Sequence, residues 1–171
     1  MPVDALSRTM KTRIHADLHL AQVVLVQSDI YLLDFEGEPL RSVEERRAKY
    51  SPLRDVAGIV RSLDYAGNAV LLRRGGASAD GDRLIEHRKV MADWRSDATS
   101  RFIAAYREAV QGCSSIPQAE EDFTAALDVF ILEKALYEVC YEAANRPDWL
   151  PIPLAGITRL LQDEPKSEAE A

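Results

Sequence analysis

The chain has 171 residues, of which 47% are hydrophobic, and its 28 acidic and 21 basic residues give a net charge of −7. This is enough sequence for one domain with a core, while the negative charge disfavours non-specific binding to nucleic acid or to an anionic membrane. No apolar run approaches the roughly 18 residues of a membrane span, and two cysteines without a signal peptide are typical of a reduced, cytoplasmic protein.

The predicted elements begin with a β-hairpin and continue as long helices. Residues 23–26 and 30–33 are short apolar runs rich in β-branched side chains, and residues 27–29 predict the turn between them. Capping residues, prolines and glycines then delimit the helices, which we expect from 51–52 to 75–76, from 80–81 to about 112, from 117 to about 145 and from 153 to about 162. Residues 163–171 are expected to form a flexible tail. The predicted fold class is mainly α with a small β-hairpin (α+β).

Two short motifs flank the predicted hairpin, at residues 15–22 (His-Ala-Asp-Leu-His-Leu-Ala-Gln) and 34–36 (Asp-Phe-Glu). Phosphoryl transfer needs a carboxylate beside the attacking hydroxyl and oxygen ligands that hold Mg²⁺ against nucleotide phosphates. Asp17 is the predicted base. Gln22 and Asp34 are the predicted Mg²⁺ ligands, with Glu36 as a further acid near the metal. The hairpin would bring Gln22 and Asp34 together.

Each of these residues also has a simpler interpretation. Asp17 alone would more often be a turn or capping residue, and it is the spacing to Gln22 and Asp34 that favours catalysis. His15 is expected to brace the catalytic loop rather than to act as an acid or base. His19 has two open interpretations, a contact to a sugar or a zinc ligand, although no cysteine or further histidine stands nearby in the sequence to complete a zinc site.

The order of these motifs resembles the protein-kinase pattern, with Gln22 in place of asparagine and Glu36 in place of glycine. These departures resemble small-molecule kinases of the aminoglycoside and choline type. With residues 31–40, 51–58, 133–138 and 145–154, notably Asn-Arg-Pro-Asp-Trp-Leu at 145–150, the chain resembles bacterial maltokinases, including those fused to trehalose synthase. The resemblance implies the C-terminal lobe of a protein-kinase-like phosphotransferase fold. It also implies transfer of the γ-phosphoryl group of ATP to maltose, with Mg²⁺, to give maltose 1-phosphate for glycogen synthesis.

The resemblance assigns further residues and shows two departures. Asp55 resembles an aspartate that braces the catalytic loop from the following helix. A second set of residues recurs every four positions and so shares one helical face, which is typical either of packing or of a sugar pocket: Glu133, Tyr137 and Tyr141. Arg61 and Lys134 are weaker candidates that could simply pair with acids. Ala16 and Ala21 stand where the family usually has glycine, and either would be strained if its φ were positive.

A nucleotide-binding lobe is not evident in the sequence. The chain begins about a dozen residues before His15, and no glycine-rich phosphate loop occurs. We therefore expect residues 1–162 to form a catalytic lobe whose missing partner is the nucleotide lobe, inactive alone, with exposed apolar surface that favours a homodimer. Two alternatives remain open: a non-catalytic assembly module that docks on trehalose synthase, and a kinase lobe for another small alcohol.

Overall fold

The computed structural model describes residues 6–38, 41–74 and 81–162, which are mainly helical with one two-stranded hairpin, as predicted. The strands are β1 (Val23–Val26) and β2 (Asp29–Leu32). The helices are α1 (Val43–Arg47), α2 (Leu53–Arg74), α3 (Gly81–Ala109), α4 (Glu120–Asn145) and α5 (Pro151–Gln162). Single 3₁₀ turns, Leu20–Gln22 and Pro147–Trp149, precede β1 and α5.

The hairpin is antiparallel, with Val23 opposite Leu32 and Val26 opposite Asp29. Gln27 at the turn has φ +56°, which matches the tight turns that join such strands. All residues of both strands except Val23 are exposed, including Leu25 at 70% and Ile30 at 68%. An exposed apolar surface of this kind promotes association, which agrees with the self-association expected from the sequence. That expectation stays a prediction.

The core lies between α2 and α4, with α3 and α5 packed against the same pair. α2 contributes apolar side chains at helical spacing and α4 faces it with a second set, as expected of amphipathic helices. These buried residues are Leu53, Val56, Ala57 and Val60 from α2, and Phe123, Ala126, Leu127 and Ile131 from α4. Within the described ranges, no helix is long and apolar enough to cross a membrane.

The predicted helices exist, but several of their ends differ. α2 begins at Leu53, where the backbone N–H donates to Ser51 Oγ over 3.3 Å, as the capping pattern predicts. α4 begins at Glu120 rather than at residue 117, because the Gln118 amide ties down the preceding loop through bonds to Gly112, Cys113 and Ile116. α5 begins two residues earlier than predicted, at Pro151. Residues 75–80 and 163–171, where helix ends and the tail were expected, lie outside the described residues.

The short helix α1 was not predicted, although its signal is in the sequence. Ser42 Oγ accepts a hydrogen bond from the Glu45 backbone over 3.2 Å, and the Glu45 carboxylate accepts one from the Ser42 backbone over 2.8 Å. This reciprocal pair is a capping box, which a serine followed three residues later by glutamate indicates.

Candidate active site

The loop that carries Asp17 is fixed to the start of α2. Asp55, in the first turn of that helix, accepts hydrogen bonds from the backbone nitrogens of His15 over 2.7 Å and of Ala16 over 2.9 Å. Burial raises the pKa of Asp55, against the opposing effect of these two hydrogen bonds. The Asp55 side chain thus binds two consecutive backbone N–H groups and fixes the position of the backbone just before Asp17.

His15 joins the same loop to the end of the hairpin. Its ring is buried, with Nε2 2.6 Å from the Leu33 carbonyl oxygen and the ring centroid 4.8 Å from that of Phe35. A carbonyl oxygen only accepts, so Nε2 must carry the proton and donate. Nδ1 is buried and has no hydrogen-bond partner in the described part of the chain. This geometry is compatible with the bracing role expected of His15.

Gln22 and Asp34 meet where the two strands adjoin. Gln22 Nε2 donates to Asp34 Oδ2 over 3.1 Å, and the Leu33 backbone donates to the Gln22 carbonyl oxygen over 2.9 Å. Asp34 has φ +62°, a conformation that aspartate tolerates better than most residues. Glu36 is exposed two residues further on, and its backbone carbonyl oxygen accepts from Arg46 over 3.2 Å.

Asp17 lies beside two side chains that can carry positive charge. Its Oδ1 is 3.6 Å from Lys134 Nζ, and its Oδ2 is 4.0 Å from His19 Nε2. Lys134 Nζ also donates to Glu38 over 2.7 Å, and Arg41 donates to Glu38 over 2.6 Å. Burial lowers the pKa of Lys134, but the hydrogen bond to Glu38 and the nearby negative charges together outweigh it and the net pKa is raised, so Lys134 is a cation.

Glu38 was not predicted from the sequence as a site residue, and Lys134 was only a weaker candidate. The two residues are 96 positions apart, and only the packing of α4 against the loop after the hairpin brings them together. A signal for Glu38 was present, because it follows Asp-Phe-Glu by two residues in an otherwise turn-like stretch. No comparable signal marked Lys134, which reads as an ordinary helical lysine.

A cleft of about 820 Å³ opens next to Asp17. Aromatic and charged side chains form much of its walls, and they come from the loop that carries Asp17, from the loop after the hairpin, from α2 and α4, and from the turn before α5. These side chains are Asp17, His19, Glu38, Tyr65, Lys134, Tyr137, Glu138, Tyr141, Glu142, Arg146 and Trp149. Tyr137 and Tyr141 stack with ring centroids 6.4 Å apart. Three of the predicted sugar contacts, His19, Tyr137 and Tyr141, therefore line one cleft together with Asp17.

Glu133, the fourth predicted sugar contact, lies beside the large cleft and not in its wall. Its carboxylate accepts a hydrogen bond from Arg54 over 2.6 Å and borders a much smaller pocket of about 30 Å³. Asp17, Lys134 and Tyr137 line both this smaller pocket and the large cleft, so the two adjoin. The structure does not bring Glu133 to the cleft wall.

No protein-family model matches the chain. Curated relatives include two glucosamine kinases, each 27% identical to this chain. The one from Streptacidiphilus jiangxiensis aligns over 169 residues, 96% of this chain and 35% of the relative. The one from Mycolicibacterium smegmatis aligns over 152 residues, 87% of this chain and 34% of the relative. The chain spans about a third of the length of these relatives.

Solved structures of glucosamine kinase have the same fold over the matching third. Crystal form B superposes with a TM-score of 0.69 at 24% identity, covering 86% of this chain and 34% of that one. A complex with glucosamine, ADP and inorganic phosphate gives a TM-score of 0.68 at 24% identity, with the same coverage. At this identity the likeness shows the fold alone.

These comparisons correct the resemblance drawn from the sequence. The relatives are named glucosamine kinases, so the assignment to maltokinases within an aminoglycoside- and choline-kinase-like group is wrong. The expected maltose acceptor, maltose 1-phosphate product and trehalose synthase partner are wrong with it, because the relatives are named for a different sugar. The physical reason is that the roles predicted for the motifs around Asp17 and Asp34 concern the phosphates and the attacking hydroxyl. Those demands are the same for many acceptors, so the motifs do not identify the sugar.

Proposed function

We propose that this chain is the catalytic and acceptor-binding part of an ATP-dependent kinase that phosphorylates an amino sugar of the glucosamine type. The observation that carries the proposal is the position of Asp17. It lies in the wall of the large cleft, on the same braced loop that leads through Gln22 into the hairpin. The names of the relatives, and the ADP in the complex of one neighbour, support the acceptor and the nucleotide.

In this proposal residues 1–162 correspond to the C-terminal lobe of a protein-kinase-like fold. The order of the motifs supports this assignment, since the base, the amide and the second carboxylate follow one another as they do in that fold. The loop that covers the nucleotide and its phosphate-binding lysine would come from the part of such a kinase that this sequence does not span. The relatives are about three times as long as this chain, which leaves room for that part.

Asp17 would act as the base in the transfer. The acceptor hydroxyl loses its proton to the Asp17 carboxylate while its oxygen forms a bond to the γ-phosphorus, and the bond from that phosphorus to the leaving ADP oxygen breaks. Lys134 Nζ, 3.6 Å from Asp17 Oδ1, keeps a positive charge beside the carboxylate. His15 and Asp55 would brace the loop so that the carboxylate is held in place.

Gln22, Asp34 and Glu36 fit a Mg²⁺ ion that takes only a few of its ligands from the protein. Gln22 Nε2 donates to Asp34, so the amide oxygen of Gln22 and the second carboxylate oxygen of Asp34 are left as hard donors, and Glu36 stands close in sequence. Among the described residues no cluster of three or more His, Cys, Asp or Glu could enclose a metal, so phosphates and water would supply the other ligands. Bound there, Mg²⁺ would neutralise phosphate charge and hold the phosphates in line with the hydroxyl.

A chimera tests the proposal. Replacing the matching third of the Mycolicibacterium smegmatis glucosamine kinase with this chain should give an enzyme that phosphorylates glucosamine from Mg-ATP. Asp17→Asn in the chimera should lower turnover by about 10²–10⁴, the usual range for a lost general base. Asp29→Asn, at the hairpin turn, is the matched control and should leave turnover unchanged. Near-normal turnover in the Asp17→Asn chimera, or phosphorylation of other sugars in preference to glucosamine, would overturn the proposal.

A further inference from the structure

A fully buried arginine stands behind the cleft wall. Arg61 of α2 is 1% exposed, so it cannot contact a ligand in the cleft directly. Its Nε and Nη2 donate to Glu138 over 2.8 and 2.7 Å, and its Nη1 donates to Asp64. Burying a guanidinium costs free energy unless its donors are satisfied, and here two carboxylates satisfy them.

The two bonds to Glu138 end on the same oxygen. Both come to Oε2, and no described residue donates a hydrogen bond to Oε1. Glu138 itself lines the large cleft and is 9% exposed. An ionised carboxylate has about four acceptor sites, so one oxygen is held from behind while the other keeps its lone pairs.

Gly156 of α5 leaves room for the Arg61 guanidinium because it has no side chain. A Cβ atom on Gly156 would lie 2.2 Å from Arg61 Nη1, which is closer than real contacts allow, and 3.0 Å from Cζ, which is tight. Arg61 cannot move aside without breaking its bonds to Asp64 and Glu138. The absence of a side chain at Gly156 is therefore a condition for the position of the Arg61 guanidinium.

We propose that Arg61 is a positioning residue for the acceptor cleft: it holds Glu138 by Oε2 so that Oε1 accepts a hydrogen bond from a hydroxyl or ammonium group of the bound sugar. This inference rests on the proposed function, since it names a determinant of acceptor binding in the same cleft. This role of Arg61 differs from a purely structural one, because Arg61 lies outside the cleft and yet sets the charge and the orientation of Glu138 inside it.

The charges around Glu138 affect its pKa, which can be measured. Burial raises the pKa of Glu138, and Arg61 opposes that rise by charge and hydrogen bonding. The charged and titratable groups near this carboxylate come from all four packed helices: Arg61, Asp64 and Tyr65 from α2, Arg95 from α3, Lys134 and Glu142 from α4, and Arg159 from α5. Arg95 and Arg159 bind Asp64, at 3.3 and 2.6 Å, so Arg61 is the cation bonded to Glu138 itself.

The experiment measures the pKa of the Glu138 carboxyl group and the affinity for glucosamine on the full chain. Carbon-13 NMR of labelled glutamate, assigned with Glu138→Gln, follows the titration in wild type, Arg61→Lys and Gly156→Ala. Arg61→Lys keeps the positive charge but loses the pair of hydrogen bonds to Glu138, and Gly156→Ala displaces the guanidinium. In both variants we expect the Glu138 pKa to rise and glucosamine binding to weaken about tenfold, the effect of one lost hydrogen bond to a charged group.

The pH profile separates positioning from general stability. Glucosamine binding should fall as Glu138 is protonated at acid pH, and in Arg61→Lys this fall should begin at a higher pH. Gly67→Ala is the matched control, because its new Cβ would meet only ordinary contacts at 3.8 Å, and it should behave as wild type. Where Arg61→Lys does not fold, Gly156→Ala carries the test.

Unchanged Glu138 titration together with unchanged glucosamine affinity in Arg61→Lys and Gly156→Ala would overturn the inference. A chain that binds no glucosamine, but whose Glu138 pKa rises in these variants, would instead overturn the proposed function and leave the coupling of Arg61 to Glu138 intact.

Discussion

Gln22 and Asp34 are twelve residues apart in the sequence, and in the structure the Gln22 amide donates to the Asp34 carboxylate over 3.1 Å. The hairpin between them sets this distance, because Val23 pairs with Leu32 at the open end of the ladder. This bond uses the Gln22 amide nitrogen and one Asp34 oxygen, so the Gln22 amide oxygen and Asp34 Oδ1 are the two oxygens that would bind the proposed metal ion.

Asp34→Asn should weaken metal binding at this pair. Mn²⁺, which electron paramagnetic resonance detects directly, is a suitable probe on the isolated chain. Loss of the carboxylate charge should lower its affinity at least roughly tenfold. Asp29→Asn removes an equal charge three residues from the end of β1 and should have little effect. Equal losses in the two variants would mean that Mn²⁺ is attracted by overall charge and not by this site.

Ala16→Gly should stabilise the chain. Ala16 has φ +69°, which costs a residue with a Cβ about 1–2 kcal/mol and costs glycine nothing. Part of this gain is offset by the greater freedom of glycine in the unfolded chain, so the free energy of unfolding should rise by about 0.5–1 kcal/mol. Urea denaturation measures it. Ala21→Gly, within the 3₁₀ turn, is the matched control and should destabilise; a loss of stability in both variants would show that φ at residue 16 is not strained.

Glu38→Gln should destabilise the protein in a pH-dependent way. Burial raises the pKa of Glu38, but hydrogen bonds from Lys134 and Arg41 outweigh it and hold the pKa below its usual 4.5. A lowered carboxyl pKa contributes stability above about pH 4.5 and loses it as the pH falls through the folded-state value. The variant should therefore lose about 1.5–3 kcal/mol at pH 7 and progressively less towards acid pH.

Urea midpoints of wild type and Glu38→Gln at several pH values check this. Glu44→Gln, an exposed glutamate in the first turn of α1, is the control and should cost little at any pH. A stability difference that stays constant between pH 7 and acid pH would show that Glu38 stabilises the fold by packing rather than by charge.

Tyr141→Ala and Glu133→Gln should differ in their effect on sugar binding. Tyr141 lines the large cleft and stacks on Tyr137, whereas Glu133 is held by Arg54 at the smaller pocket. Calorimetry with glucosamine should show about tenfold weaker binding for Tyr141→Ala, since an aromatic contact of this size is worth about 0.5–1.5 kcal/mol beyond the area that it buries. Glu133→Gln should match wild type. A strong effect of Glu133→Gln would place the acceptor at the smaller pocket.

Much of the local structure could be read from the sequence because local interactions decide it. The hairpin follows from two short apolar runs rich in β-branched residues around a polar turn, and the start of α2 follows from Ser51 and the proline after it. The beginning of α4 could not be read, since it depends on one glutamine amide that bonds three residues of the preceding loop. The pairing of Asp55 with the backbone of residues 15 and 16 came from a family pattern and not from local signals.

The sequence by itself was enough to propose the residues that act near the phosphates: Asp17, Gln22 and Asp34 lie within 18 residues, and a single hairpin brings the last two together. It did not determine the acceptor. The cleft wall is made from side chains of α2, α4 and the turn before α5, up to 132 positions from Asp17, and the buried arginine behind it is positioned by a glycine on a fourth segment. Only the packing of these helices decides which carboxylates and rings face the cleft, because helical periodicity defines a face but not its neighbour.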